Sequence, residues 1–256
     1  MIALHHVIDG PADAPVLVLG PSLGTDLGLF DAQVDELASE WRIVRFDLRG
    51  HGGSPVPPGP YTIAELAGDV VALLGRLGID RFHYAGVSIG GAIGQWLAIH
   101  HGHLLASLTV CASAARFADP PSWWVRAATV RADGTEGLVP SRTGTWFLPS
   151  FATERPAEAR RLLDMLRRTP AEGYAGCCEA IGDFDVRQEL GGVMVPTLAL
   201  AGADDPATTV EMVRAIAEGI PGAEFVVVPK SAHLLNAERS DIVNAALAAH
   251  LRRCSY

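Results

Sequence analysis

Gly86-Val87-Ser88-Ile89-Gly90-Gly91 is the stretch on which the reading of this chain turns. The five residues before it, Arg81-Phe82-His83-Tyr84-Ala85, read as a short buried strand. The nine after it, Ala92 to His100, read as a helix. A serine on the sharp turn between strand and helix is the G-x-S-x-G elbow. Its backbone is strained, and glycines two residues to either side (Gly86 and Gly90) remove the side chains that would block the turn. The helix opens at the serine, so its free N–H groups and the positive end of its dipole face any negative charge that forms there. Ser88 is thereby presented as a nucleophile, and the Ile89 N–H as a donor to an oxyanion. A glycine-rich strand–helix joint with an incidental serine gives the same pentapeptide, so the decision falls to the rest of the chain.

On either side of this unit, strands and helices alternate. Strands are expected at Leu4–Ile8, Pro15–Leu19, Arg42–Phe46, Ala106–Cys111, Val195–Ala201 and Glu224–Val228. Helices are expected near 30–39, 62–77, 209–219 and 241–252, with Thr62 and Glu65 forming a capping box. Continuous apolar runs such as Val16-Leu17-Val18-Leu19 are those of strands buried on both faces of a parallel sheet. The class is therefore α/β, with a mostly parallel central sheet flanked by helices. From Ala115 to Arg187 the strand signals stop, helical periodicity takes over and aromatic residues gather, among them Trp123, Trp124, Trp146, Phe147 and Phe151. The expected organisation is a core made of residues 1–114 and 188–256, interrupted by an inserted helical cap, or lid, at 115–187.

Composition excludes several classes. A chain of 256 residues, 49% hydrophobic and 19% charged, can bury a large core. A net charge of −9 with no basic run argues against nucleic acid as a partner. The four cysteines, two of them adjacent at 177 and 178, include no C-x-x-C pair, so neither a disulfide framework nor a zinc site is expected. Residues Met1–His6 lack the pattern of a signal peptide, and no apolar run reaches the ~18 residues of a membrane span. The expectation is a soluble cytoplasmic protein that binds no membrane and no metal.

A serine nucleophile needs a base, and the base needs an orienting carboxylate. His233 lies between the last expected strand and the last helix, on the sheet edge that carries Ser88. His51 is the other loop histidine, and its glycine-rich surroundings assign it to bracing that loop. Gly202-Ala203-Asp204-Asp205-Pro206 follows the strand ending at Ala201 and offers two carboxylates. G-x-x-D spacing favours Asp205, with Asp204 as the alternative. The order Ser88, Asp205, His233 is the hydrolase order of such a sheet. A second oxyanion donor belongs in the loop after Val16–Leu19, and the Leu23 N–H is the candidate.

The segments Ser22–Leu27, Asp47–Tyr61, Ala114–Arg116, Glu172–Ile181 and Ala201–Thr208 resemble the α/β-hydrolase superfamily, and within it the 3-oxoadipate enol-lactonases. The likeness extends over nearly the whole chain, cap included. It implies hydrolysis of a small enol-lactone through an acyl-enzyme, without cofactor or metal, on a small-molecule substrate, and leaves room for a homo-oligomer. The chain departs from the family pattern at Pro21, where Asn is usual, and at Thr145, where Arg usually precedes the Trp-Phe pair. Those departures bear on the pocket, so a different lactone or ester is the alternative substrate, and a non-catalytic receptor the third reading. An enol-lactone with a carboxymethyl arm is an anion entering an acidic protein, and needs a local cation or donor. Ser22, Trp123, Trp146, Arg126 and Arg142 are the candidates for the pocket, with Arg131 near them in sequence.

Overall fold

The computed structural model describes residues 1–254. Seven strands form one sheet: β1 (His6–Asp9), β2 (Val16–Gly20), β3 (Arg42–Phe46), β4 (Phe82–Val87), β5 (Leu105–Cys111), β6 (Thr197–Gly202) and β7 (Glu224–Val228). Their order across the sheet is β1-β3-β2-β4-β5-β6-β7. β1 runs antiparallel to β3, and every other pairing is parallel. All six residues of β4 are buried, which is why this strand reads as unbroken rather than alternating.

Six helices of the core flank the sheet or follow it: α1 (Asp31–Leu37), α2 (Ile63–Arg76) and α3 (Ile89–His100), then, after the insertion, α8 to α10 below. Between β5 and β6 lie α4 (Pro120–Asp133), α5 (Pro149–Glu154), α6 (Pro156–Arg168) and α7 (Ala171–Gly182). The chain closes with α8 (Val210–Gly219), the single turn α9 (Leu235–Glu238) and α10 (Ser240–Arg253). Among the described residues no helix is long and apolar enough to cross a membrane.

Local chemistry explains these boundaries. Thr62 and Glu65 form the expected capping box, with Thr62 Oγ1 accepting from Glu65 N at 3.2 Å and Glu65 Oε2 from Thr62 N at 2.9 Å. Such a cap contributes about 1 kcal/mol. β1 begins at His6 rather than Leu4, because the His5 N–H is taken by Ser54 Oγ at 2.9 Å instead of by the ladder. β6 begins at Thr197 rather than Val195, since Pro196 has no N–H to give. The four-helix stretch leaves and rejoins the core at one point, where Val186 N donates to Ala115 O at 2.9 Å and Arg116 bridges to Asp185. α4 packs along α7, and the Arg131 guanidinium of α4 reaches both Glu172 and Glu179 of α7. Glu172 also accepts the Gly59 N–H of a core loop at 2.7 Å, tying the insertion back to the core.

Candidate active site

Ser88 stands at the C-terminal end of β4 with φ 59° and ψ −116°, a left-handed conformation that a side chain rarely adopts. The surroundings hold it there. Ser88 N donates to Cys111 O at 2.9 Å, and Ser113 Oγ donates to Ser88 O at 2.7 Å. A Cβ at position 86 would collide with the Gly90 carbonyl, and one at 90 with the Gly20 carbonyl, so both glycines of the elbow are sterically required.

β6 and β7 supply the other two groups. His233 Nδ1 lies 2.8 Å from Asp205 Oδ2, and both side chains are buried. Asp205 is fixed on its far side by Ala207 N at 2.8 Å and Thr208 N at 3.1 Å, both on Oδ1. The Thr208 hydroxyl donates to Oδ2 at 2.6 Å and sits 3.2 Å from His233 Nδ1. Burial alone would raise the Asp205 carboxyl, but His233, the Thr208 hydroxyl and the Ala207 N–H outweigh it and hold the group below its ordinary 3.8. With Nδ1 donating to a carboxylate, Nε2 carries the lone pair. Asp204 is exposed and its N–H goes to Ser231 O at 2.9 Å, so of the two aspartates it is Asp205 that meets the histidine.

Ser88 and His233 face one cavity of about 260 Å³. No hydrogen bond joins the two side chains among the described residues; they meet across that space, as in many unliganded sites. In the loop after β2, Gly24 N donates to His51 Nε2 at 3.1 Å and Thr25 N to Ser22 O at 3.1 Å, while the Leu23 N–H has no acceptor among the described residues. His51 is wholly buried, its Nδ1 is 3.2 Å from Arg49 O, and burial drives its pKa down to about 4, so it is neutral. It braces the loop, as its setting in the sequence indicates. Ser22 and Leu23 line the cavity, and the Ile89 N–H opens α3 beside Ser88.

The insertion supplies the opposite wall. Trp123, Arg126, Arg142 and Trp146 all line the cavity. Arg126 lies over the Trp123 ring at 4.5 Å and Arg142 over the Trp146 ring at 5.8 Å. Neither guanidinium pairs with a carboxylate among the described residues. Arg142 is 9% exposed, its Nε has no partner, and burial pulls it below its usual range. Arg131, by contrast, is consumed by Glu172 and Glu179 and stays outside the cavity. Thr145 turns its hydroxyl to Ser141 O at 2.7 Å and also lines the space.

Three contributors escape the sequence reading. Thr208 is one, although its place three residues after Asp205 is the spacing of a side-chain–backbone turn. Ser113 and Tyr174 are the others; nothing in their local sequence points to the site, since each arrives from a different element.

Residues 15–240 match the model of the alpha/beta hydrolase fold family. A 3-oxoadipate enol-lactonase of Acinetobacter baylyi is 37% identical over 98% of this chain and 94% of its own length. A second one from the same organism is 38% identical over 91% of this chain and 87% of its own. The crystal structure of an enol-lactonase from Burkholderia xenovorans superposes with a TM-score of 0.95 at 38% identity, covering 97% of this chain and 96% of that one. The chain belongs to the α/β-hydrolase family and stands beside its 3-oxoadipate enol-lactonases.

Proposed function

We propose that this protein is a serine hydrolase that opens 3-oxoadipate enol-lactone to 3-oxoadipate, with Ser88 as nucleophile, His233 as base and Asp205 as orienting carboxylate. The observation that carries the reading is the His233–Asp205 pair, at 2.8 Å, whose histidine faces the same cavity as the strained Ser88. The kinship with enol-lactonases supports the choice of substrate. His233 Nε2 takes the Ser88 proton as Oγ adds to the ring carbonyl. The oxyanion sits on the Leu23 and Ile89 N–H groups, each worth about 2.7–4 kcal/mol in the transition state by analogy with other hydrolases. The ring C–O bond then breaks. Its electrons leave on the enolate oxygen, which takes the proton back from His233 to give the enol; the enol then tautomerises to the ketone, losing that O–H proton to water and gaining one at carbon. Water, deprotonated by His233, adds to the acyl-enzyme, and the acid departs as Ser88 regains its proton.

The substrate is an anion and the protein carries −9, so recognition falls to local charge. Arg126 and Arg142 are the cations for the carboxymethyl group, with Trp123 and Trp146 holding them and walling the ring, and Ser22 completing the near side. Residues 115–187 act as the cap that carries substrate choice, and residues 1–114 and 188–256 as the core that carries the chemistry. The test is Ser88→Ala. With the fold intact by circular dichroism, kcat on the enol-lactone is expected to fall on the order of 10⁴–10⁶-fold; retention of a tenth of wild-type activity rejects the assignment.

A further inference from the structure

Glu238 is a carboxylate that the chemistry above leaves unused. It is 5% exposed, at the last position of α9, five residues after His233. The charged groups near it are Asp204 and Arg239. Arg239 offers no pairing, since its guanidinium goes to Asp241 at 2.9 Å and to Pro229 O at 2.9 Å. Burial therefore raises the Glu238 pKa above its ordinary 4.5, although two backbone N–H groups work against the rise.

Those two N–H groups belong to different parts of the molecule. Glu238 Oε2 accepts from Ala232 N, the residue before His233, at 2.7 Å. Oε1 accepts from Leu148 N, in the cap, at 2.8 Å. Beside this clamp the same two segments bond directly: His233 N donates to Thr145 O at 3.2 Å and Leu234 N to Trp146 O at 2.7 Å. Four hydrogen bonds thus join cap residues 145–148 to the loop 232–234, two of them through one side chain. A carboxylate accepts twice; a glutamine of the same shape accepts with one oxygen and turns an NH₂ toward the other N–H. Keeping an acid buried here without a cationic partner costs stability, which a purely adhesive role does not require.

We propose that Glu238 is a positioning residue that locks the His233 loop and the Thr145–Trp146 wall of the cavity into one unit, so that the base and the substrate-facing cap cannot move independently. This rests on the reading of Ser88 and His233 as nucleophile and base. It is tested on the full chain with Glu238→Gln and, separately, Leu148→Pro. The second deletes the other end of the clamp without touching Glu238, at a residue whose φ of −68° proline can adopt. The measurements are the rate of Ser88 labelling by a fluorophosphonate, kcat and KM on the enol-lactone, the pH dependence of kcat/KM, and the melting temperature. Both variants are expected to label about tenfold more slowly or worse, since small misplacements of a base are costly. KM should rise as kcat falls, and the acid limb of the profile should move. Wild-type labelling, kinetics and pH profile alongside a lowered melting temperature would reduce Glu238 to structural glue and overturn the proposal. A wild-type protein that does not label at Ser88 would instead overturn the hydrolase reading, and this proposal with it.

Discussion

The two walls of the cavity are held in opposite ways. On the core side every reactive group is fixed by several short bonds: Asp205 by two backbone N–H groups, a hydroxyl and an imidazole, and Ser88 by Cys111 and Ser113. On the cap side Arg126 and Arg142 are held by stacking on tryptophans and by no carboxylate among the described residues. Arg131, eleven residues before Arg142, shows the difference, because two glutamates spend its charge on joining α4 to α7. A site that must repeat one reaction needs over-determined geometry, while a site that must accept a ligand charge needs a charge left unpaired. In the proposed function the core wall is thus the rigid half and the cap wall the selective half.

The sharpest way to break this contrast is to weaken the core network. Asp205→Asn should lower kcat by about 10⁴-fold, the effect known for the serine-protease template, because the histidine loses its tautomer and the stabilisation of its cation. Asp204→Asn, on an exposed neighbour, should stay within a few-fold of wild type. A larger loss in Asp204→Asn would show that the wrong aspartate has been placed behind His233.

The cap predicts a smaller effect of a different kind. Arg142→Met keeps much of the volume and removes the charge. It is expected to raise KM for the anionic lactone roughly 10- to 100-fold, the weight of a charge-assisted hydrogen bond of about 1.5–3 kcal/mol, with little change in turnover of neutral p-nitrophenyl acetate. Equal losses on both substrates would mean that Arg142 supports the cap and not the ligand.

The least of the three is thermodynamic. Residues 115–187 contain no histidine, so histidine-linked acid sensitivity belongs to the core. His51 is held at about 4 against an ordinary 6.5. The unfolded chain then binds the proton more readily, and stability falls as pH drops from 6.5 toward 4. For His51 alone the loss by pH 5 is about 2 kcal/mol, and His83, also pushed to about 4 by burial, adds in the same direction. Urea midpoints at pH 7 and pH 5 measure it; an unchanged midpoint would contradict the neutral, buried state of His51.

The core was legible in the sequence because its chemistry is local. The elbow around Ser88, the Asp205 turn and the His233 loop each follow a strand, and strand ends announce themselves by apolar runs that stop at glycine, proline or aspartate. A helical stretch between β5 and β6 was legible in the sequence, but the partners of its arginines were not. Arg126, Arg131 and Arg142 look alike along the chain, and what separates them is whether α7 presents a glutamate to each. Glu238 was invisible for the same reason, since its partners Ala232 and Leu148 are backbone groups that any residue could carry. Local sequence marks where a side chain stands, and tertiary pairing determines whether its charge is free.

In the proposed function the reactive wall acts on a small anionic lactone chosen by the cap. The direct test is kcat/KM for 3-oxoadipate enol-lactone against neutral lactones of the same ring size, measured on the wild-type protein. A preference for the anionic lactone of tenfold or more, about 1.4 kcal/mol, is the expected result. A tenfold preference for the neutral set would contradict it and would make Thr145, where the family usually carries arginine, the mark of a different substrate.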